Sequence, residues 1–290
     1  MKISVIITAY KEPRTIGKSI ESIAAQVKRG DEIIVVAPDK ETLNEAAKIK
    51  NASLKVIKDK GLGKSAALNL VVPKAKGELL VLTDGDVYIG PNSIKPLLAP
   101  FREEKIGAVS GNPLTLSTKK TKYGFWSYVL TKTADKRRRR AVQFGKSFFC
   151  SGYLFAIRKE LFPKLKTELL SEDGYISNHV YEKGYKLGYS EKSTVFVRYP
   201  DNFKDWIKQK KRSAGGYNQI RKISGVEMRS FRKESFGALD LFEYASTFKE
   251  VFWLFQLFIA RVYLWILIYR DINIKKKSRE VIWERVESTK

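Results

Sequence analysis

Asp84-Gly85-Asp86 places two carboxylates one residue apart, directly after the apolar run Leu79 to Thr83. Carboxylates at a strand end can hold Mg2+ or Mn2+, a hard cation that takes oxygen ligands and keeps places for water and substrate phosphates. The same residue types also build an Asp-Gly turn. Upstream, Gly61-Leu62-Gly63-Lys64 leads from an apolar run into a helical stretch. That arrangement brings a lysine and a helix N-terminus to a phosphate. Downstream, Glu172-Asp173 opens an amphipathic helix, where acids complement the helix dipole or one of them serves as general base towards an acceptor hydroxyl. The order of the three stations points to chemistry on a phosphorylated donor.

Gly61-x-Gly63-x-x-Ala66 formally fits a dinucleotide-binding pattern, with Asp84 23 residues beyond Gly61. An NAD(P)-type or flavin oxidoreductase therefore stays an alternative, although the motif follows the third expected strand rather than the first. A phosphate-cradling P-loop is excluded, because its first glycine would stand at Lys58. His179 is the single histidine and Cys150 the single cysteine. Neither a multi-cysteine zinc site, a two-histidine iron centre nor an internal disulfide can be assembled from them. Without a Gly-x-Ser-x-Gly sequence, serine-hydrolase chemistry has no support.

These residues need a scaffold, and the first third of the chain describes one. Ile3 to Thr8, Glu32 to Val36, Leu54 to Ile57 and Leu79 to Leu82 are short apolar runs alternating with helical stretches at Ile16 to Gln26, Glu41 to Ile49 and Ser65 to Val72. The alternation predicts parallel strands covered on both faces, with ligands at their carboxyl ends. Beyond Gly107 further strands are expected at Ala108 to Ser110, Tyr153 to Ile157, Leu187 to Tyr189 and Val195 to Val197, and a helix at Trp206 to Gln219. At 290 residues the chain is long enough to bury a substantial core.

The formal charge is +24, from 55 Lys and Arg against 31 Asp and Glu. It favours anionic partners of several kinds, so a non-catalytic binder of acidic lipid or nucleic acid is a further alternative. Basic residues crowd at Lys136 to Arg140, Lys204 to Arg212, Arg229 to Lys233 and Lys275 to Lys277. The first of these runs reads either as a phosphate- or membrane-contacting segment or as a solvated mobile loop. Val251 to Tyr269 is nineteen mostly apolar residues, just enough to cross a bilayer, but it contains Gln256 and Arg261. A central Arg costs about 2.5 to 3.5 kcal/mol on insertion, and both flanks are basic. A helix lying in the cytoplasmic interface or packing with its own copies is favoured over a simple span.

Taken together, the motifs resemble the family 2 glycosyltransferases of the GT-A fold. Ser4 to Glu12 is similar to the family's opening strand and nucleotide loop, and Lys60 to Asn69 to its glycine-lysine segment. Asp84-Gly-Asp86 is similar to the metal-binding acid pair, and Ser171-Glu-Asp173 with Gly184-Tyr-Lys186 to the segment carrying the base. Gln209-Lys-Lys-Arg212 stands where processive members carry Gln-x-x-Arg-Trp, but Ser213 replaces the Trp, which favours transfer of one sugar over polymer synthesis.

The resemblance implies an α/β GT-A fold, a Rossmann-like mixed sheet flanked by helices, with a C-terminal apolar helical appendage. It implies a catalytic domain over 1–225, comprising a nucleotide half (1–106) and an acceptor half (107–225), followed by membrane-associated or oligomerising helices over 226–290. Ala9, Tyr10, Glu12, Asp39, Gly63, Lys64, Asp84, Gln209 and Arg212 would bind the nucleotide-sugar donor. Asp86, with Asp84, would hold Mg2+ or Mn2+, and Asp173 would be the catalytic base of an inverting transfer, with Gly152 and Glu172 on the acceptor side. The implied partners are a nucleoside-diphosphate sugar, a lipid-linked or glycan acceptor, an anionic membrane surface and a second copy of the chain through the C-terminal helices, with no nucleic acid. The implied place is the cytoplasmic face of the cell membrane, peripherally or through one helix.

Overall fold

The computed structural model describes residues 1–225, 239–271, 286, 288 and 289. Strands β1 (Ile3–Thr8), β2 (Glu32–Ala37), β3 (Leu54–Lys58), β4 (Leu79–Asp84), β5 (Tyr88–Ile89), β6 (Ile106–Thr115), β7 (Leu154–Arg158) and β8 (Lys186–Val197) form one sheet in the order β3-β2-β1-β4-β7-β6-β8-β5. The half built from β1 to β4 is parallel, while β7 runs antiparallel to both β4 and β6. The sheet is thus mixed. Every residue of β1 and β2 is buried, which is why these strands are continuous Ile and Val runs rather than alternating ones. β3 is the edge strand, and its exposed Lys55, Val56 and Lys58 reflect that place.

The helices are α1 (Ile16–Ala24), α2 (Lys40–Ala47), α3 (Lys64–Val71), α4 (Ile94–Leu98), α5 (Lys122–Gln143), α6 (Glu172–Glu182), α7 (Phe203–Ser224) and α8 (Phe248–Tyr269). Packing divides the chain into two compact units, Met1–Leu114 with Arg138–Val197, and Thr115–Arg137 with Arg198–Thr289. This division by compactness differs from the functional scheme of 1–225 and 226–290, because α7 groups with the C-terminal segment. In the first unit, Ile6, Ile34, Val36, Leu80 and Leu82 alternate onto one face of the sheet. They share a core there with Ala67, Leu68 and Val71 of α3 and with Ile176 and Val180 of α6. In the second unit, Phe125, Trp126 and Val129 of α5 pack with Trp206 of α7 and with Leu254, Leu257 and Leu264 of α8. The Trp126 indole donates to the Trp253 carbonyl at 2.7 Å.

Two local expectations are corrected and one strand is added. The late strands at 187–189 and 195–197 are one strand, β8, whose polar centre Glu191-Lys192 is exposed between the buried Leu187 and Val197. The run Lys136 to Arg140 is no loop but part of α5, with Lys136 paired to Glu243 at 2.8 Å and Arg139 3.9 Å from Glu191. The two-residue β5 was not expected at all; it pairs with β8 through Tyr88 and Ile89. The basic clusters at 229–233 and 275–277 lie outside the described residues.

Candidate functional site

The parallel register sets Thr8 beside Asp84 and beside Val36, so β1, β2 and β4 all end at one edge of the sheet. Thr8 Oγ1 donates to Asp84 Oδ1 at 3.1 Å, and the Gly85 amide donates to the Thr8 carbonyl at 2.9 Å. Ala9 is buried and its amide reaches the Val36 carbonyl at 3.0 Å, while Tyr10 projects, 41 % exposed. Gly85 lies so close to this loop that a Cβ there would fall 2.5 Å from Glu12 Oε2 and 2.7 Å from the Ala9 side chain. The loop carrying Ala9, Tyr10 and Glu12 therefore rests directly on the Asp84-Gly85-Asp86 turn.

Asp39 locks the same loop from the β2 side. As the N-cap of α2 its Oδ1 accepts from the Thr42 amide at 3.0 Å, and its Oδ2 accepts from the Lys11 amide at 2.8 Å. Lys11 has φ of +55°, a left-handed conformation that is strained for a residue with a Cβ. Burial alone would raise the Asp39 pKa, but the donors from Thr42 and Lys11 outweigh it and hold the carboxyl below its ordinary range. The Glu12 amide donates to Thr42 Oγ1 at 2.8 Å, completing the clamp.

Two helices bring the remaining charges. α3 and α6 pack on the same sheet face through the core described above, so their N-termini meet at the strand ends. Gly63 is the N-cap of α3 at φ of +92°, and Lys64 is its first residue. The Lys64 ammonium lies 2.5 Å from Asp84 Oδ1 and 4.0 Å from Glu172 Oε1 at the start of α6. Burial would lower the Lys64 pKa, but the Asp84 and Glu172 carboxylates reverse that and hold it above the usual lysine range. Glu172 is raised above the usual carboxylate range by burial, with Asp173 adding repulsion and Lys64 opposing both.

Asp173 is oriented through both oxygens. Oδ1 accepts from Ser171 Oγ at 2.5 Å and from the Gly174 amide at 2.9 Å, and Oδ2 accepts from the Gly152 amide at 3.0 Å. A Cβ on residue 152 would stand 3.0 Å from Oδ2, so glycine lets the backbone approach the carboxylate. Ser177 Oγ fastens the two segments, donating to the Asp173 carbonyl at 2.6 Å and accepting from the Cys150 amide at 2.9 Å.

The structure thus gathers Ala9, Tyr10, Glu12, Asp39, Gly63, Lys64, Asp84, Glu172, Asp173 and Gly152 along one edge of the first unit, with Asp86 in the turn itself. Gln209 and Arg212 lie on α7 in the second unit, and Gln209 is buried. Among the described residues no three His, Cys, Asp or Glu side chains converge as a cage for a metal. Mg2+ or Mn2+ does not require one, since one or two carboxylates suffice when substrate phosphates complete the shell. Asp86 and Asp84 fit that demand: both are half-buried, and among the described residues nothing bonds to Asp84 Oδ2. Thr8, Thr42 and Ser171 were missed as site residues. Thr8 ends its apolar strand and Ser171 directly precedes the acids, so position was the available signal.

Residues 4–166 match the family described as Glycosyl transferase family 2. O-antigen chain rhamnosyltransferase RfbN of Salmonella typhimurium is 27% identical over 211 residues, covering 67% of this chain and 66% of that protein. Poly-beta-1,6-N-acetyl-D-glucosamine synthase of Staphylococcus aureus is 22% identical over 226 residues, 75% of this chain and 55% of that one. The chain therefore spans less than two thirds of the length of either relative. Among solved structures, the mannosyltransferase PcManGT of Pyrobaculum calidifontis, in complex with GDP-Man and Mn2+, superposes with a TM-score of 0.61 at 18% identity, over 76% of this chain and 64% of that one.

Proposed function

The chain belongs to glycosyl transferase family 2 and has the GT-A fold, and on that footing we propose that it moves one sugar, with inversion, from a nucleoside-diphosphate sugar to a hydroxyl or phosphate of a lipid-linked or glycan acceptor at the cytoplasmic face of a membrane. Family membership replaces the oxidoreductase and binding-module alternatives with a glycosyltransferase. The observation that carries the finer reading is the meeting of Lys64, Asp84 and Glu172 beside an oriented Asp173. A cationic side chain and a helix N-terminus suit a diphosphate, and a carboxylate held by a backbone amide suits a base.

Ala9, Tyr10, Glu12, Asp39 and Gly63 line the nucleotide in this proposal. Lys64 offers its charge to the diphosphate, and Gln209 and Arg212 are the further donor-side residues in this proposal, since the planar guanidinium of an arginine suits an anionic leaving group. Asp86 and Asp84 would hold a divalent cation, which when bound would supply Lewis-acid neutralisation of the departing diphosphate. Asp173 accepts the proton of the acceptor hydroxyl as that oxygen attacks the anomeric carbon from the face opposite the nucleotide. Gly152 fixes the Asp173 carboxylate, and Glu172 stands beside it on the acceptor side. Ser213, in place of a tryptophan, supports single transfer. The rhamnosyltransferase name of one relative and the GDP-Man and Mn2+ of the solved mannosyltransferase support the donor class.

The test is Asp173→Asn. Sugar transfer should vanish while a nucleoside diphosphate with Mn2+ still raises the thermal midpoint, and chelation should abolish that rise in both forms. A fully active Asp173→Asn enzyme would sink the assignment.

A further inference from the structure

α8 has two unlike faces. Leu254, Leu257, Ala260 and Leu264 are buried in the core of the second unit, against α5 and α7. On the opposite side Phe252, Phe255, Ile259, Tyr263 and Ile266 recur every three or four residues and are between 46 and 70 % exposed. An apolar stripe running the length of a 22-residue helix, about 33 Å, is far more than scattered surface hydrophobes. Cations stand at its ends: Lys249 is exposed, its ammonium 4.9 Å from the Trp253 ring, and the Arg270 side chain is 48% exposed.

We propose that this stripe is the surface by which the chain rests on an anionic lipid bilayer, with α8 lying in the membrane plane rather than crossing it. The inference rests on the membrane-face reading above and names the surface and the mode. A lone spanning helix is surrounded by lipid, whereas here the Leu254, Leu257 and Leu264 side is already occupied by protein. The apolar face of an in-plane helix enters only about 5 to 10 Å, leaving Arg261 and the terminal cations at headgroup depth. Charge selects lipid over a second copy as the occupant. Two chains of +24 brought face to face repel, while an anionic surface attracts each of them.

The full chain is sedimented with vesicles of phosphatidylglycerol and phosphatidylcholine, and with phosphatidylcholine alone. Binding should be stronger to the anionic vesicles, and Phe255→Glu with Ile259→Glu should reduce it about tenfold or more at unchanged near-UV circular dichroism. Spin labels at Phe252→Cys, Ile259→Cys and Ile266→Cys then report depth. Cys150 does not compete for label, being buried with its thiol pushed up to about 12. Equal, shallow depths support the proposal, and a label at 259 deep in the bilayer between two shallow ones overturns it in favour of a span. Undiminished vesicle binding by the double variant, with a dimer turned to monomer, overturns it in favour of a second copy. Asp86→Asn should bind vesicles as the unaltered chain does. Sugar transfer absent from the unaltered chain, with its vesicle binding intact, would fault the transferase reading and leave the surface standing.

Discussion

At the scale of single residues, the carboxylate proposed as the base depends on neighbours whose own chemistry is modest. Asp173 makes its shortest side-chain contact to Ser171, at 2.5 Å, and that hydroxyl fixes which way the carboxylate faces. Ser171 touches no reacting atom in the proposed mechanism and acts as a positioning residue. Removing it in Ser171→Ala leaves Oδ1 with the Gly174 amide alone and lets the carboxylate rotate. Small displacements of a catalytic group are costly, so kcat should fall about 10- to 100-fold. The KM for the nucleotide sugar should not change, because Ser171 makes no donor contact in the proposed mechanism. Ser171→Thr keeps the hydroxyl and should restore most of the rate. An equal loss in both variants, or a loss confined to KM, would show that Ser171 contributes something other than orientation.

At the scale of elements, the parallel half of the sheet and the helices between its strands were legible because their signal is local. Buried strands must be continuously apolar, and glycines and acids punctuate them at the ends. β8 was not legible as one strand, because its exposed centre carries Glu191 and Lys192, which composition alone assigns to a connection. The fate of Lys136 to Arg140 was hidden for a similar reason: a basic run has no apolar periodicity, and its helical state is set by the aromatic residues preceding it in α5. The site was legible as a set of motifs but not as contacts. The Lys64 to Asp84 pair joins residues 20 apart, and it exists because α3 folds back over the sheet. Asp39 was read only as a nucleotide contact, yet it caps α2 and holds the strained Lys11. Asp39→Ala should destabilise the chain by about 1 to 2 kcal/mol, the usual range for a lost N-cap. The Asp39 pKa is lowered on folding, so its ionised form contributes stability above the unfolded carboxyl pKa, and that contribution is lost as the pH falls through the folded value. Urea unfolding at neutral pH should therefore show the full difference, and at about pH 3 a smaller one. A difference that does not change with pH would mean that the charge of Asp39 is not what stabilises the loop.

At the scale of the whole molecule, the two compact units carry different features. The Asp84 cluster and its core belong to the first unit, and the helix with the exposed apolar stripe belongs to the second. Of the five tryptophans, Trp126, Trp206, Trp253 and Trp265 lie in the second unit, Trp283 lies outside the described residues and the first unit contains none, so indole emission does not report on the first. This permits a direct test of whether α8 is built into a protein core before any lipid is present. Leu257 is 1 % exposed and Ile259, two residues on, is 70 % exposed. Leu257→Ala leaves a cavity in the core that Leu257 shares with Phe125, Trp126 and Trp206 and should cost about 2 to 5 kcal/mol in lipid-free solution. Ile259→Ala removes an exposed side chain and should change stability by less than about 0.5 kcal/mol. Unfolding followed by tryptophan emission compares the two in one experiment. If both substitutions are silent, the inner face of α8 is not packed in solution, and lipid rather than protein orders the helix. If Leu257→Ala alone is costly, the second unit is folded before it meets the membrane and presents the Ile259 stripe already aimed outward. That outcome is expected from the packing, because a face fixed by Trp126 and Trp206 leaves the opposite face no freedom to turn inward.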